Sequence, residues 1–183
     1  VHPELLVCAK QCGIPLFTTP VSSAESERRI GEFLSDYFAP QISLHASLVD
    51  VYGIGLLYTG ESGIGKSECV RDLVERGHRL VADDAVTVVR RGEALVGSGS
   101  KLLGHHMEIR GVGILNIQHL FGIRAIRHTK NIEIVVELVK WDPTANFERL
   151  GLRENLIDML GVKIEKITIP IFPGKNITVI SEV

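Results

Sequence analysis

Apolar residues recur along this chain with two different periods, and the change of period divides it. Near the start, Leu5, Leu6, Ala9 and Cys12 keep helical spacing from Pro3 onward, and Gly13 stands where a helix commonly closes in a left-handed residue. A short strand is expected over residues 14–17. Ser22 followed by Glu25 fits a capping box, and Ile30, Phe33, Leu34, Tyr37 and Phe38 repeat on one helical face. That second helix is expected to end near Ala39 and Pro40.

From Ser43 the period shortens. Residues 44–51 and 54–59 are rich in β-formers, and Tyr52-Gly53 between them suits a tight hairpin turn. Helical spacing returns over 68–76 in Cys69, Val70, Leu73 and Val74, with Gly77 as its stop. A strand is expected at 79–82, running to Asp83-Asp84, with 86–89 as its continuation across a turn. Further strands are expected at 132–139, 167–171 and 177–180 from their β-branched bias, and a short helix at 155–160. No internal repeat or low-complexity tract breaks the series. The pattern predicts an α/β fold with a mixed sheet, in which 41–183 is the main domain and 1–40 a short α/β remnant of an N-terminal domain and linker. Because the chain does not begin with Met and stops in what looks like a strand, the main domain is expected to be truncated at its C-terminus.

Composition narrows the partners. A length of 183 residues suits one substantial core, and a formal net charge of -2 comes with neither a basic patch nor a long like-charge run. Nucleic acid and anionic membranes therefore have no electrostatic claim, and a protein or small-molecule partner is expected. No apolar run approaches the ~20 residues that cross a bilayer, and the first residues do not resemble a signal peptide, so a cytoplasmic location is expected. Cys8, Cys12 and Cys69 are an odd number of thiols, and Cys8 and Cys12 share a helical face with no further ligand nearby; buried thiols are expected rather than a metal site. His78, His105 and His106 likewise lack partners at ligand spacing.

The chemistry is concentrated in Gly60-Glu61-Ser62-Gly63-Ile64-Gly65-Lys66-Ser67, a full match to G-x-x-x-x-G-K-[ST] between an expected strand and an expected helix. Gly60, Gly63 and Gly65 let the backbone curl so that successive N–H groups form an anion nest at the positive end of the helix dipole. Lys66 adds a charge toward the β- and γ-phosphates, and Ser67 supplies a hydroxyl for Mg²⁺. A nucleoside triphosphate or related phosphate compound with Mg²⁺ is the expected ligand. The same cradle serves kinases, ATPases, GTPases and translocases, so the second substrate must be read from the surroundings. Asp83-Asp84 is readable as a second centre, one carboxylate near the metal and its waters and the other free to handle a proton, or equally as a solvated turn.

Three segments in order, Gly60 to Ser67, then Arg76-Gly77-His78-Arg79-Leu80-Val81-Ala82-Asp83-Asp84, then Glu108-Ile109-Arg110-Gly111-Val112-Gly113-Ile114-Leu115-Asn116, closely resemble the HPr kinase/phosphorylase family. These bacterial enzymes phosphorylate and dephosphorylate a serine of the phosphocarrier protein HPr. The resemblance implies a P-loop-containing, mixed-sheet kinase core of the phosphoenolpyruvate carboxykinase-like kind. It implies that Lys66 contacts the phosphates, that Ser67 and Glu108 hold Mg²⁺, and that Asp84 is the general base for the attacking serine. His45 and Arg149 gain active-site roles from it alone; by themselves they read as a core or edge histidine and a surface arginine, and Glu108 with Arg110 as one face of a strand. The phosphorolysis loop of the family falls on Pro170, Ile171, Phe172, Pro173, Gly174 and Lys175. The family further implies ATP or pyrophosphate as phosphoryl donor, inorganic phosphate as co-substrate of the reverse reaction, HPr as partner, a homohexamer, and a role in carbon catabolite regulation.

This sequence departs from the family at Phe172 and Lys175, where relatives are richer in arginine, and at Ala46, where they usually carry glycine. Replacing a guanidinium by phenyl removes a phosphate-binding cation, which touches the phosphorolysis direction more than the kinase direction. The rival readings are a P-loop ATPase whose acceptor is water, a small-metabolite kinase, and a nucleotide-sensing regulator without protein-kinase activity.

Overall fold

The computed structural model describes residues 2–100, 105–109, 113–141, 155–171 and 177–182. The chain divides into two compact units, Val1–Phe38 and Ala39–Val183.

The first unit contains two helices, α1 (Pro3–Cys12) and α2 (Ser23–Tyr37). Gly13 closes α1 at φ 65, returning its N–H to helix carbonyls, and Ser22 caps α2 by accepting from the Glu25 amide. Residues 14–17 do not form the expected strand. The Ile14 amide is spent on the Ala9 carbonyl, and among the described residues of this unit there is no strand for the apolar run to pair with. Cys8 and Cys12 are exposed, contrary to the expectation of buried thiols, because α1 buries no residue; Cys69 is buried as expected.

The second unit is built on two sheets. In chain order its strands are β1 (Gln41–Leu44), β2 (Ser47–Val51), β3 (Ile54–Gly60), β4 (Arg79–Ala82), β5 (Val86–Arg91), β6 (Ala94–Gly99), β7 (His106–Ile109), β8 (Gly113–Asn116), β9 (Thr129–Asn131), β10 (Ile134–Lys140), β11 (Leu156–Met159) and β12 (Val162–Ile171). The helices are α3 (Lys66–Glu75), α4 (Ile117–Phe121) and α5 (Ile177–Ser181). A six-stranded mixed sheet runs β11-β12-β10-β3-β2-β4, with β3, β10 and β12 parallel and the other pairings antiparallel. A four-stranded antiparallel sheet runs β1-β5-β6-β9, and β7 pairs with β8 in a separate ribbon.

The central strands are apolar on both faces because both are covered. On one face Val49, Tyr58, Val136 and Leu138 pack against Cys69, Val70, Leu73 and Val74 of α3. On the other, Leu48, Leu57 and Val135 meet Val86, Val88 and Leu95 of the smaller sheet. Truncating a fully buried side chain such as Leu73 to Ala would cost about 2–5 kcal/mol. Among the described residues no helix is long and apolar enough to cross a membrane.

Three further expectations are corrected. Residues 86–89 do not continue β4 but belong to β5 of the other sheet, because Asp84 takes φ 70 and turns the chain. The expected helix at 155–160 is β11: Leu160 and Gly161, at φ 56 and 78, form the tight turn into β12, and Asp158 accepts from the Gly161 amide. The expected strand at 177–180 is α5, whose β-branched composition is overridden by docking on α3, with Thr178 buried and the Tyr58 hydroxyl donating to Ser181 Oγ at 2.6 Å.

Candidate active site

The parallel strand β3 ends in the phosphate loop, and α3 begins at its last Lys-Ser pair. Gly60, Gly63 and Gly65 take φ of 136, 76 and 110, the left-handed region that side chains avoid. At Gly60 there is a second reason for glycine. A β-carbon there would lie 2.4 Å from the Leu138 carbonyl oxygen of the adjacent β10. Lys66 is 5% exposed and folds back over the loop, donating to the Gly60 and Glu61 carbonyls at 3.0 Å each. This tie holds the ammonium over the nest. At the outer edge Glu61 pairs with Lys140, at the end of β10, at 2.7 Å, which holds the Glu61 carboxyl below the usual carboxylate range.

A register slip beside the loop aims the acidic pair. Between β2 and β4, Leu48 faces Ala82 but Val49 faces Leu80, so the pairing shifts by one residue. Val81 and Ala82 consequently both enter the inter-sheet core, whereas strict alternation would have sent Asp83 there instead. Asp83 lands on the α3 face, opposite Ser47. Its Oδ1 accepts from Ser47 Oγ at 2.5 Å and from Ser67 Oγ at 3.1 Å. Burial pushes the Asp83 carboxyl up, and the two hydroxyl hydrogen bonds oppose that shift. Its second oxygen is buried with no hydrogen-bond partner among the described residues.

The next residue, Asp84, is exposed and left-handed, a conformation that Asp adopts more readily than most residues. The interruption between β1 and β2 at His45 brings that imidazole alongside: His45 Nδ1 is 3.2 Å from Asp84 Oδ1 and 3.1 Å from the Asp84 carbonyl oxygen. His45 is therefore a half-exposed cleft residue and not a core one. Glu108 arrives from β7, which is pinned by the buried Met107. The open cleft so formed is lined by His45, Ser47, Ser62, Gly63, Gly65, Lys66, Ser67, Glu68, Asp84 and Glu108.

Of the residues expected to act together, His45, Lys66, Ser67, Asp84 and Glu108 share this cleft. Pro170 and Ile171 close β12, while Arg149, Phe172, Pro173, Gly174 and Lys175 lie outside the described residues, as does Arg110. Sequence reasoning missed Ser47, Glu68 and Lys140. Ser47 had one signal, a hydroxyl amid the otherwise apolar start of β2. No cluster of three or more His, Cys, Asp or Glu capable of holding a metal occurs among the described residues. Mg²⁺ does not need such a cage, since it takes many of its ligands from water and substrate phosphates. A hydroxyl, a nearby carboxylate and a buried carboxylate oxygen without a partner are a donor set that fits it.

A strand-loop-helix phosphate cradle on a mixed sheet, with a buried and an exposed carboxylate beside it, defines a P-loop domain of the kinase-like kind. A model of the HPr Serine kinase C-terminal domain family matches residues 36–183. Proteins named HPr kinase/phosphorylase are 52% identical in Chloroherpeton thalassium and 50% identical in Prosthecochloris aestuarii, each over all of this chain and 54% of the relative. The chain thus spans about half the length of these curated relatives. The solved Hpr(Ser) kinase/phosphatase from Coxiella burnetii superposes with a TM-score of 0.71 at 31% identity, covering 77% of this chain and 86% of that one. The chain belongs to the HPr serine kinase C-terminal domain family.

Proposed function

We propose that this protein is a Mg²⁺-dependent serine kinase of the phosphocarrier HPr that also removes the phosphoryl group by phosphorolysis, setting the state of a carbon-regulation circuit. The observation that carries the reading is the presence of Asp84 in the same cleft as Lys66, Ser67 and Glu108, solvent-facing and beside His45. An exposed carboxylate next to a phosphate cradle is what a hydroxyl-bearing protein substrate needs.

In the forward direction Asp84 takes the proton of the target serine as its oxygen attacks the γ-phosphorus of ATP, and the bond to ADP breaks. His45 keeps the Asp84 carboxylate oriented toward the cleft. Lys66 and the loop amides stabilise charge on the phosphate oxygens. Ser67, Glu108 and the Asp83 oxygen without a partner among the described residues would hold Mg²⁺ and its water shell, where the ion would supply charge neutralisation for the phosphates. In reverse, inorganic phosphate attacks phosphoserine, Asp84 returns the proton to the departing serine oxygen, and the products are serine and pyrophosphate. Arg149 and the segment of Pro170 to Lys175 are assigned by resemblance to charge stabilisation and to the phosphorolysis step. We assign residues 41–183 to the catalytic domain and 1–40 to the end of an N-terminal domain and linker, with a homohexamer as the assembly. The names of the relatives support HPr as the substrate.

The test is incubation with purified HPr, Mg²⁺ and γ-labelled ATP, followed by intact-mass analysis of HPr, with Asp84→Asn alongside. One added phosphoryl group is expected from the unaltered protein, with a loss of at least ~100-fold in rate for the variant. Asn tolerates the left-handed backbone as Asp does, so that loss reports chemistry. ATP turnover with HPr left unmodified overturns the reading.

A further inference from the structure

Ser47 enters neither the sequence motifs nor the proton path, yet it is 1% exposed, lines the cleft, and makes the shorter of the two hydrogen bonds to Asp83. Its place opposite Asp83 depends on the slip between Leu48 and Val49, since unbroken pairing would set Ser47 across from Ala82. The fold therefore spends a bulge on bringing this hydroxyl and this carboxylate together.

We propose that Ser47 is a positioning residue for the metal-phosphate centre, a proposal that rests on the kinase reading above. Ser47 and Ser67 donate to the same oxygen, Asp83 Oδ1. A serine hydroxyl has one proton and two lone pairs, so Ser67, donating its O–H to Asp83 in a hydrogen bond, keeps its lone pairs for a cation. Oδ2, buried and without a hydrogen-bond partner among the described residues, is the oxygen left for the water shell of that cation. Ser47 fixes the orientation of the carboxylate. Without it, Oδ1 holds a single donor and the carboxylate can turn about its Cβ–Cγ bond, moving Oδ2 out of place and releasing the Ser67 hydroxyl from its orientation. Partners of metal ligands at this remove typically alter metal affinity by ~10–100-fold when lost.

The experiment measures Mn²⁺ binding by electron paramagnetic resonance in the protein saturated with ADP, for the unaltered chain, Ser47→Ala, Ser47→Thr, Ser47→Val and Ser67→Ala. Thr keeps the hydroxyl and Val has the same shape without it, so that pair separates hydrogen bonding from packing. Loss of ~10-fold in Mn²⁺ affinity is expected for Ala and Val but not Thr, with metal-free ADP affinity in EDTA unchanged in all three. Equal Mn²⁺ affinity in the unaltered protein, Ala and Val overturns the role of Ser47 while leaving the kinase reading in place. An unaltered protein that binds no Mn²⁺, or a Ser67→Ala that binds it fully, overturns the metal reading and this inference with it.

Discussion

Gly60 is where two demands on a single residue coincide: it must curl at φ 136, and it must leave room for the Leu138 carbonyl across the parallel ladder. Gly65 shares only the first demand, because an added β-carbon there meets no atom within 4 Å. The two positions thus separate backbone strain from steric collision. Gly65→Ala should cost about 1–3 kcal/mol of stability through the positive φ alone. Gly60→Ala should cost more, because β3 and β10 must also part where the loop begins, and its affinity for a fluorescent ADP analogue should drop by at least ~10-fold. Denaturant unfolding and a fluorescence titration check both, and equal stability loss at the two sites would contradict the steric argument. The phosphate loop was fully legible in the sequence because its chemistry is local, eight consecutive residues between a strand and a helix. Asp84 was half legible. Its spacing left open whether it was a turn or a base, and only the resemblance decided for it. What the sequence could not show is that Asp83 and Asp84 part company, one buried against Ser47 and Ser67 and the other solvent-facing beside His45, because a one-residue slip between distant strands separates them.

Element types were most legible where pattern and packing agree, as in β3 and α3, and least where a short apolar segment could satisfy either period. Residues 155–160 read as a helix because Leu156, Ile157, Met159 and Leu160 are apolar at mixed spacing; a Leu-Gly turn decided otherwise. Residues 177–180 read as a strand by composition, and α5 forms because tertiary contacts outweigh that propensity. Those contacts extend to Glu182, just past the helix, whose carboxylate accepts from Arg76 Nε and from the buried His78 Nε2, each at 2.9 Å. Arg76 and His78 flank the turn that ends α3, so this carboxylate latches α5 to the helix that carries the phosphate loop. Hydrogen bonds first to Arg76 and then to His78 pull the Glu182 carboxyl down to about 2 from its ordinary 4.5. A carboxyl whose folded value is depressed stabilises the fold above its unfolded value, and that stability is lost as pH falls through the folded one. The latch is therefore complete above about pH 4.5 and released toward pH 2. The melting temperature of the unaltered protein should exceed that of Glu182→Gln at pH 6, and the gap should close steadily below pH 4.5. A gap independent of pH would mean that Glu182 acts through packing rather than charge.

For the second unit as a whole, the larger sheet is a partition between two differently covered sides. One face carries α3, the phosphate loop and the Ser47–Asp83–Ser67 network, and the other is closed by the smaller sheet. Leu48 ties the two sides together, because it is fully buried between the sheets while its neighbour Ser47 faces the cleft. The smaller sheet accommodates Leu48 by offering Gly97, where a β-carbon would stand 2.3 Å from Leu48 Cδ2 and 3.2 Å from Ile132 Cδ1. Unlike Gly60, Gly97 does not occupy the positive-φ region, so its glycine is explained by space alone. Gly97→Ala should therefore overpack the interface between the sheets and cost about 1–3 kcal/mol in urea unfolding, with the slope of the transition unchanged. Pairing it with Leu48→Ala tests the mechanism. If the cost arises from the meeting of these two side chains, the second change relieves the first, and the double variant loses less than the sum of the single losses by roughly 0.5–3 kcal/mol. Strict additivity would place the strain at Ile132 instead. The Mn²⁺ affinity of the ADP complex, measured on Gly97→Ala, then shows whether a displacement of Leu48 reaches the carboxylate beyond it, as a partition joined through adjacent residues of one strand requires.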